Sequence, residues 1–262
     1  MYFLSLRIIA FSTLSVLISV VACRPLSASS NPPRAIASID QSEVLLGQTD
    51  AEFYFQQGIS QLQSGNPRAA FDSFTRALEL EPNFAKAYRY RGVTCSMQGD
   101  YQAAIKDYTQ AIKIDPNLIE AYISRGIDRS LSGDHQGAIE DYTFAIQLDP
   151  TVPEAYNSRC IDRGQLGDYE GALKDCNRAI ELAPNYAQAY HNRAIARFRQ
   201  GDKQGTMTDL ETAIELAKAQ GDQSLYQQAR NLLSVVSSSP SGSTLPTTPS
   251  VSPTFRPSEP NQ

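Results

Sequence analysis

The side chains able to do chemistry in this 262-residue chain are few: two histidines, four cysteines, and a set of arginines and aspartates at fixed spacing. Neither His135 nor His191 has a cysteine or carboxylate at the spacing of a metal-ligand set, so each is expected to be solvated or packed. The usual nucleophile and phosphate-loop motifs are missing, and no catalytic residue, metal or cofactor is expected. Cys160 and Cys176 stand at places where two helix faces would meet. Packing as small hydrophobes is the favoured expectation for them, with a disulfide as the alternative; Cys95 has no such partner. Arg91, Arg125, Arg159 and Arg193 are each followed, at one constant offset, by an aspartate: Asp107, Asp141, Asp175 and Asp209. Earlier in the chain Gln57 and Ser73 hold that offset, so both charges are lost together. That implies pairing, either within each couple or from each Asp to the next Arg along the chain, as from Asp107 to Arg125. We read a structural ladder rather than a basic ligand-binding row, because buried charges are normally paired.

The fourth cysteine belongs to a different pattern. Arg7 precedes an apolar run from Ile8 to Ala22 that carries no charge and is too short to span a bilayer comfortably. It ends in Val20-Val21-Ala22-Cys23, which resembles the lipobox of bacterial lipoproteins. The resemblance implies cleavage before Cys23, a diacylglycerol on its thiol and an acylated amine; an ordinary signal peptide or an uncleaved anchor is the alternative. Residues 1–22 are therefore expected to be a signal peptide. An exported chain held at a bacterial envelope membrane through Cys23 follows, since two or three acyl chains give stable anchoring where one does not.

Composition bounds the rest. The chain is 41% hydrophobic and 19% charged with net charge -5, and losing the leader would remove Arg7 and no acid. Nucleic acid is excluded as a partner, because phosphate backbones would be repelled.

The elements that must position these residues come from one unit used five times. Gly65, Gly99, Gly133, Gly167 and Gly201 recur at one constant interval, in step with Tyr54, Tyr88, Tyr122, Tyr156 and Tyr190. The units run 51–84, 85–118, 119–152, 153–186 and 187–220. Apolar residues at helical spacing flank each Gly-Asp or Gly-Asn pair, as in Ala104, Ile105, Tyr108, Ala111 and Ile112, so a unit is two helices and a turn. The glycine closes the first helix and its Asp or Asn neighbour caps the second, which ends before Pro82, Pro116, Pro150 or Pro184. In the last unit Lys218 replaces that proline, so its second helix should run on to Gly221-Asp222. Leu225, Ala229, Leu232, Leu233 and Val236 form a stripe suited to a capping helix over 221–236. Residues 23–50 read as a flexible stalk. In 237–262, 18 of 26 residues are Ser, Thr or Pro, a composition unable to bury a core, so this tail is expected to be disordered.

This periodic pattern resembles the tetratricopeptide repeat over residues 51–220. The resemblance implies an all-α, right-handed superhelical solenoid of five 34-residue repeats with a C-terminal cap and a concave groove lined by the first helices. It places the second, fifth and ninth residues of each first helix toward a ligand: Glu52, Phe55 and Ile59; Lys86, Arg89 and Val93; Glu120, Ile123 and Ile127; Glu154, Asn157 and Ile161; Gln188, His191 and Ile195. Relatives that grip a terminal carboxylate use a Lys and Asn clamp at such places. Phe55, Ile59 and Glu120 stand there instead, so that activity is not expected. What remains is an apolar floor with polar edges, suited to an amphipathic helix or an extended peptide; the alternative is that the ninth-place aliphatics only pack between helices. The expected partners are other proteins, with no small-molecule substrate, and the expected role is a lipid-anchored envelope scaffold without chemistry of its own. An assembly factor for a secretion, pilus or photosynthetic complex is one rival. An accessory subunit of a peptidoglycan or proteolytic enzyme is another.

Overall fold

The computed structural model describes residues 41–238. The leader 1–22, Cys23, the stalk as far as residue 40 and the tail from residue 239 lie outside the described residues.

Within 41–238 every regular element is an α-helix, and the helices come in five hairpins: α1 (Gln41–Gln63) with α2 (Pro67–Leu80), α3 (Ala85–Met97) with α4 (Tyr101–Ile114), α5 (Ile119–Leu131) with α6 (His135–Leu148), α7 (Pro153–Gln165) with α8 (Tyr169–Leu182), and α9 (Ala187–Arg199) with α10 (Lys203–Gln220). An eleventh helix, α11 (Gln223–Ser238), follows. One part of the stalk expectation is corrected: residues 41–50 are helical and extend α1 backwards.

Local chemistry sets the hairpins. Gly99 sits at φ 82°, a left-handed conformation that a side chain resists, and its four equivalents in the other units do the same. Next to it the Asp100 carboxylate accepts the Ala103 N–H at 3.0 Å, satisfying one orphan donor of α4. Before each proline the chain leaves the helix, as at Asp115 (φ -126°, ψ 95°). Without that proline α10 runs to Gln220 and stops at Gly221, φ 70°. Asp222 then caps α11 by accepting the Leu225 N–H at 3.0 Å.

Each hairpin closes on a small residue facing a large one. A Cβ added at Gly126 would fall 2.6 Å from the ring of the fully buried Tyr142, and Gly58 and Gly92 meet Phe74 and Tyr108 in the same way. The fourth unit departs from this, with Cys160 and Cys176 at the two places, joined by a disulfide across a Cα–Cα distance of 5.6 Å. The favoured packing expectation for these thiols is thus overturned in favour of its alternative. Facing places on tightly packed helices bring the two sulfurs within bonding range, and closing a 16-residue loop contributes about 3 kcal/mol in the chain-entropy account. Cys95 is buried and free, and burial raises its thiol to about 11, leaving an inert packing residue.

Stacking of the units creates the concave side. Consecutive first helices touch (α1 with α3, α3 with α5, α5 with α7, α7 with α9, α9 with α11), whereas among the described residues no two second helices do. The array therefore curves toward its first helices. At the C-terminal end Ala229, Val236, Leu232 and Leu233 of α11 cover Phe198, Leu210 and Ala213, which would otherwise face water.

Candidate functional site: the concave groove

A first helix repeated in every unit and packed on its neighbours presents the same places of each copy to one side. Those places form a groove of about 890 Å³ over the third to fifth units and the cap. Ile123, Ile127, Ile161 and Ile195 make its aliphatic floor, with Glu120, Glu154 and Gln188 along one edge. Arg89, Asn157 and His191 complete the expected residues that line it. Phe55, Ile59, Lys86 and Val93 do not. Phe55 is sunk in an aromatic cluster, its ring centroid 4.8 Å from Phe84, 5.4 Å from Tyr90 and 5.7 Å from Phe74. Ile59 packs against that cluster, and Val93 is buried with Tyr108 and Ala104. Lys86 is exposed outside the groove. The first unit is thereby closed by its own rings and leaves the lining to the later units.

Residues outside the expected places also contribute. Asn192 donates its Nδ2–H to Asn157 Oδ1 at 2.9 Å, and Asn157 donates to the Tyr186 hydroxyl at 3.3 Å, giving the floor of the last two units a polar side. His191 lies among them, and burial holds its imidazole below the usual pKa, hence neutral at pH 7. Arg199 and the α11 residues Ser224, Leu225 and Gln228 line the C-terminal end. The cap signal in the sequence identified α11 as a cover, but not that its first turn also faces the groove.

The arginine ladder holds the first helices in register and lies outside this lining. Arg125 donates through Nε to Asp141 Oδ2 (3.0 Å) and through Nη2 to Oδ1 (2.6 Å), a bidentate pair across the hairpin. Arg91 with Asp107, Arg159 with Asp175 and Arg193 with Asp209 repeat it. Pairing within each couple is therefore the arrangement formed. Each remaining Nη1 reaches back to the preceding unit, at Thr75, Thr109, Thr143 or Asn177. Arg129, Arg163 and Arg197, one turn further along, join Asp141, Asp175 and Asp209 at 2.8–3.0 Å. In the first unit the Ser73 hydroxyl lies 3.0 Å from Gln57 Oε1, a neutral replacement for the ion pair.

A second polar row was missed from the sequence. Asp128 and Asp162 are both 1% exposed, and Ser96 and Ser130 of the preceding units donate to their Oδ1 atoms at 2.7 Å. His135 lies with Nδ1 2.6 Å from Asp162 Oδ1, a carboxylate 27 residues away on the next unit. A readable signal existed. Where Tyr108 and Tyr142 stand, Asp128 and Asp162 follow on the next first helix; where Phe74 and Cys176 hold the tyrosine's place, Thr94 and Ala196 hold the aspartate's. Burial pushes the Asp128 carboxyl up to about 6 against the opposing influence of Ser96 and Tyr108, and its Oδ2 has no partner within hydrogen-bond geometry.

The sign of that shift yields a prediction. A carboxyl whose folded pKa lies above its unfolded value weakens the fold once ionised, so the penalty grows as pH rises from about 4 through 6 and is complete above. Asp128→Asn is expected to stabilise the array by about 1–3 kcal/mol at pH 7.5, with the gain shrinking toward pH 4. Urea denaturation at the two pH values reads it. An Asn variant no more stable than the parent at pH 7.5 contradicts the burial penalty.

Helix hairpins in a row, with their first helices lining a continuous concave face, define a helical-repeat solenoid. Models of the tetratricopeptide repeat match residues 51–84 and 85–118, and a further TPR repeat model matches 165–201. No curated protein matches the chain significantly. Among solved structures it is similar to MamA protein (TM-score 0.58, 20% identity, 67% of this chain and 96% of that one). YrrB, titled a TPR protein with an unusual peptide-binding site, gives a TM-score of 0.57 at 19% identity over 74% of this chain and 99% of that one. The pilF protein of Pseudomonas aeruginosa gives 0.58 at 18% identity, with 72% and 93% covered. At these identities the likeness is one of fold.

Proposed function

We propose that this chain is a non-enzymatic scaffold, held at a bacterial envelope membrane through a lipid on Cys23, that binds a segment of another protein in its concave groove. The observation carrying this reading is the groove itself, where isoleucines from successive first helices line an open cleft with polar side chains at the edges. The anchor rests on the residues Val20-Val21-Ala22-Cys23. With the chain tethered, the array presents its groove near a surface, where local concentration compensates for modest affinity.

Site-specific photo-crosslinking in intact cells tests the reading. A crosslinking residue at position 123 or 161 is expected to give discrete protein adducts, and one at position 144, where Phe144 is exposed on α6, is not. Intact mass of the same protein, extracted from membranes, is expected to show an N-terminal Cys23 with acyl groups. Adducts from position 144 alone, or an unmodified N-terminus elsewhere, contradict the two halves of the proposal separately.

A further inference from the structure

We infer that the segment taken up by the groove is cationic, with basic side chains set about three residues apart among aliphatic ones in an extended, polyproline-II-like stretch. This rests on the groove being the binding site and concerns the chemistry of its occupant. The charged side chains lining the groove are Glu120, Asp149, Glu154, Asp162 and Asp222 on the acidic side, against Arg89 and Arg199. His191, neutral at pH 7, adds nothing to the basic side. Three of the acids are engaged by their own chain: Asp162 with Ser130, Asp149 with Thr151, and Asp222 with the start of α11.

Glu120 and Glu154 differ from these. Both are exposed on the groove edge, at the same place of adjacent units. Each lies in the first turn of its helix, where the dipole favours an acid, yet the same place holds Lys86 in the second unit and Gln188 in the fifth. Helix stability therefore does not dictate glutamate there. The Arg89 guanidinium stacks over Tyr90 at 4.5 Å toward the N-terminal end, and Arg199 lies toward the cap, so the excess of negative charge falls in the middle. Directly beside it lie Ile123, Ile127 and Ile161. A lysine or arginine suits this setting, since its aliphatic stem can lie along isoleucine while its charged head meets a glutamate. Packed helices stand about 8–10 Å apart, a step that a polyproline-II-like chain at about 3.1 Å per residue covers in about three residues, one turn, so that both side chains return to the same face. One repeat step thus sets the spacing between basic residues.

The test uses the detergent-solubilised full chain and three labelled peptides of one aliphatic sequence, carrying two lysines about three residues apart, or two glutamines or two glutamates at those positions. Fluorescence polarisation reads affinity at low and high salt, and circular dichroism confirms that each protein variant keeps its helix. An exposed ion pair contributes up to about fivefold, so two of them, with the like-charge repulsion relieved, should make the lysine peptide bind on the order of tenfold tighter than the glutamate peptide. The order should invert in Glu120→Lys/Glu154→Lys, and the preference should fade in salt. Equal binding of all three peptides, abolished by Ile161→Asp, overturns the charge inference and leaves the groove reading standing. Binding that neither set of variants alters, or no binding by any peptide, overturns both.

Discussion

Replacing Asp141 by alanine is expected to lower the stability of the array by about 3–5 kcal/mol, the loss typical of stripping one partner from a buried ion pair. The carboxylate is 1% exposed and accepts from Arg125 Nε and Nη2 and from Arg129 Nη1, so its removal strands two guanidinium groups. Arg125 is itself only 13% exposed and cannot turn fully to water without opening the hairpin. Surface pairs give the contrast: Arg76 and Glu79, more than half exposed, are screened by water and should contribute little. The chain also contains its own repair. Since the first unit has Gln57, Gln61 and Ser73 at these places, the triple change Arg125→Gln/Arg129→Gln/Asp141→Ser should be much less damaging than Asp141→Ala alone. Chemical denaturation of the three proteins measures both effects. A loss below about 1 kcal/mol for the alanine variant would mean that the ladder is a surface feature.

That the ladder could be read at all depended on the one unit that breaks it. Joint loss of charge at Gln57 and Ser73 revealed pairing, although not which of two spacings was used; the hairpin settles it because the Arg and Asp of one couple face each other across the turn. Turn chemistry was equally legible. Gly99-Asp100 has one low-energy use between two amphipathic runs, and Lys218 in place of proline accounts for the greater length of α10 relative to α4. Place numbers fix where a Cβ points but not how far neighbouring side chains reach, and the groove's N-terminal end failed on that distinction. Phe55 sits at a groove place, yet Phe84 and Tyr90 close over it.

The cysteine pair shows a related limit. Both readings of Cys160 and Cys176 put the thiols at one interface, and only the distance between helices separates a bond from a contact. Asp128 and Asp162 were missed for another reason. Each is satisfied by a serine of the preceding unit, Ser96 or Ser130, so the pairing runs between hairpins and leaves no mark within one.

The second large effect concerns binding itself. Charge on the groove floor, as in Ile127→Glu, is expected to weaken a captured partner by at least about a hundredfold, since an unpaired carboxylate must be desolvated against Ile123 and Ile161 when the segment seats. Glu120→Lys, at the exposed groove edge where folding tolerates the change, should weaken it less. Removing everything after Ser238 leaves α11 and the groove intact. The deciding measurement is the affinity of one crosslink-identified partner for these three variants and the parent chain, with circular dichroism showing retained helix. Binding lost in Ile127→Glu, reduced in Glu120→Lys and unchanged by truncation is the predicted result. Binding abolished by truncation and normal in both folded groove variants would contradict it, leaving the repeat array as a spacer that presents its tail.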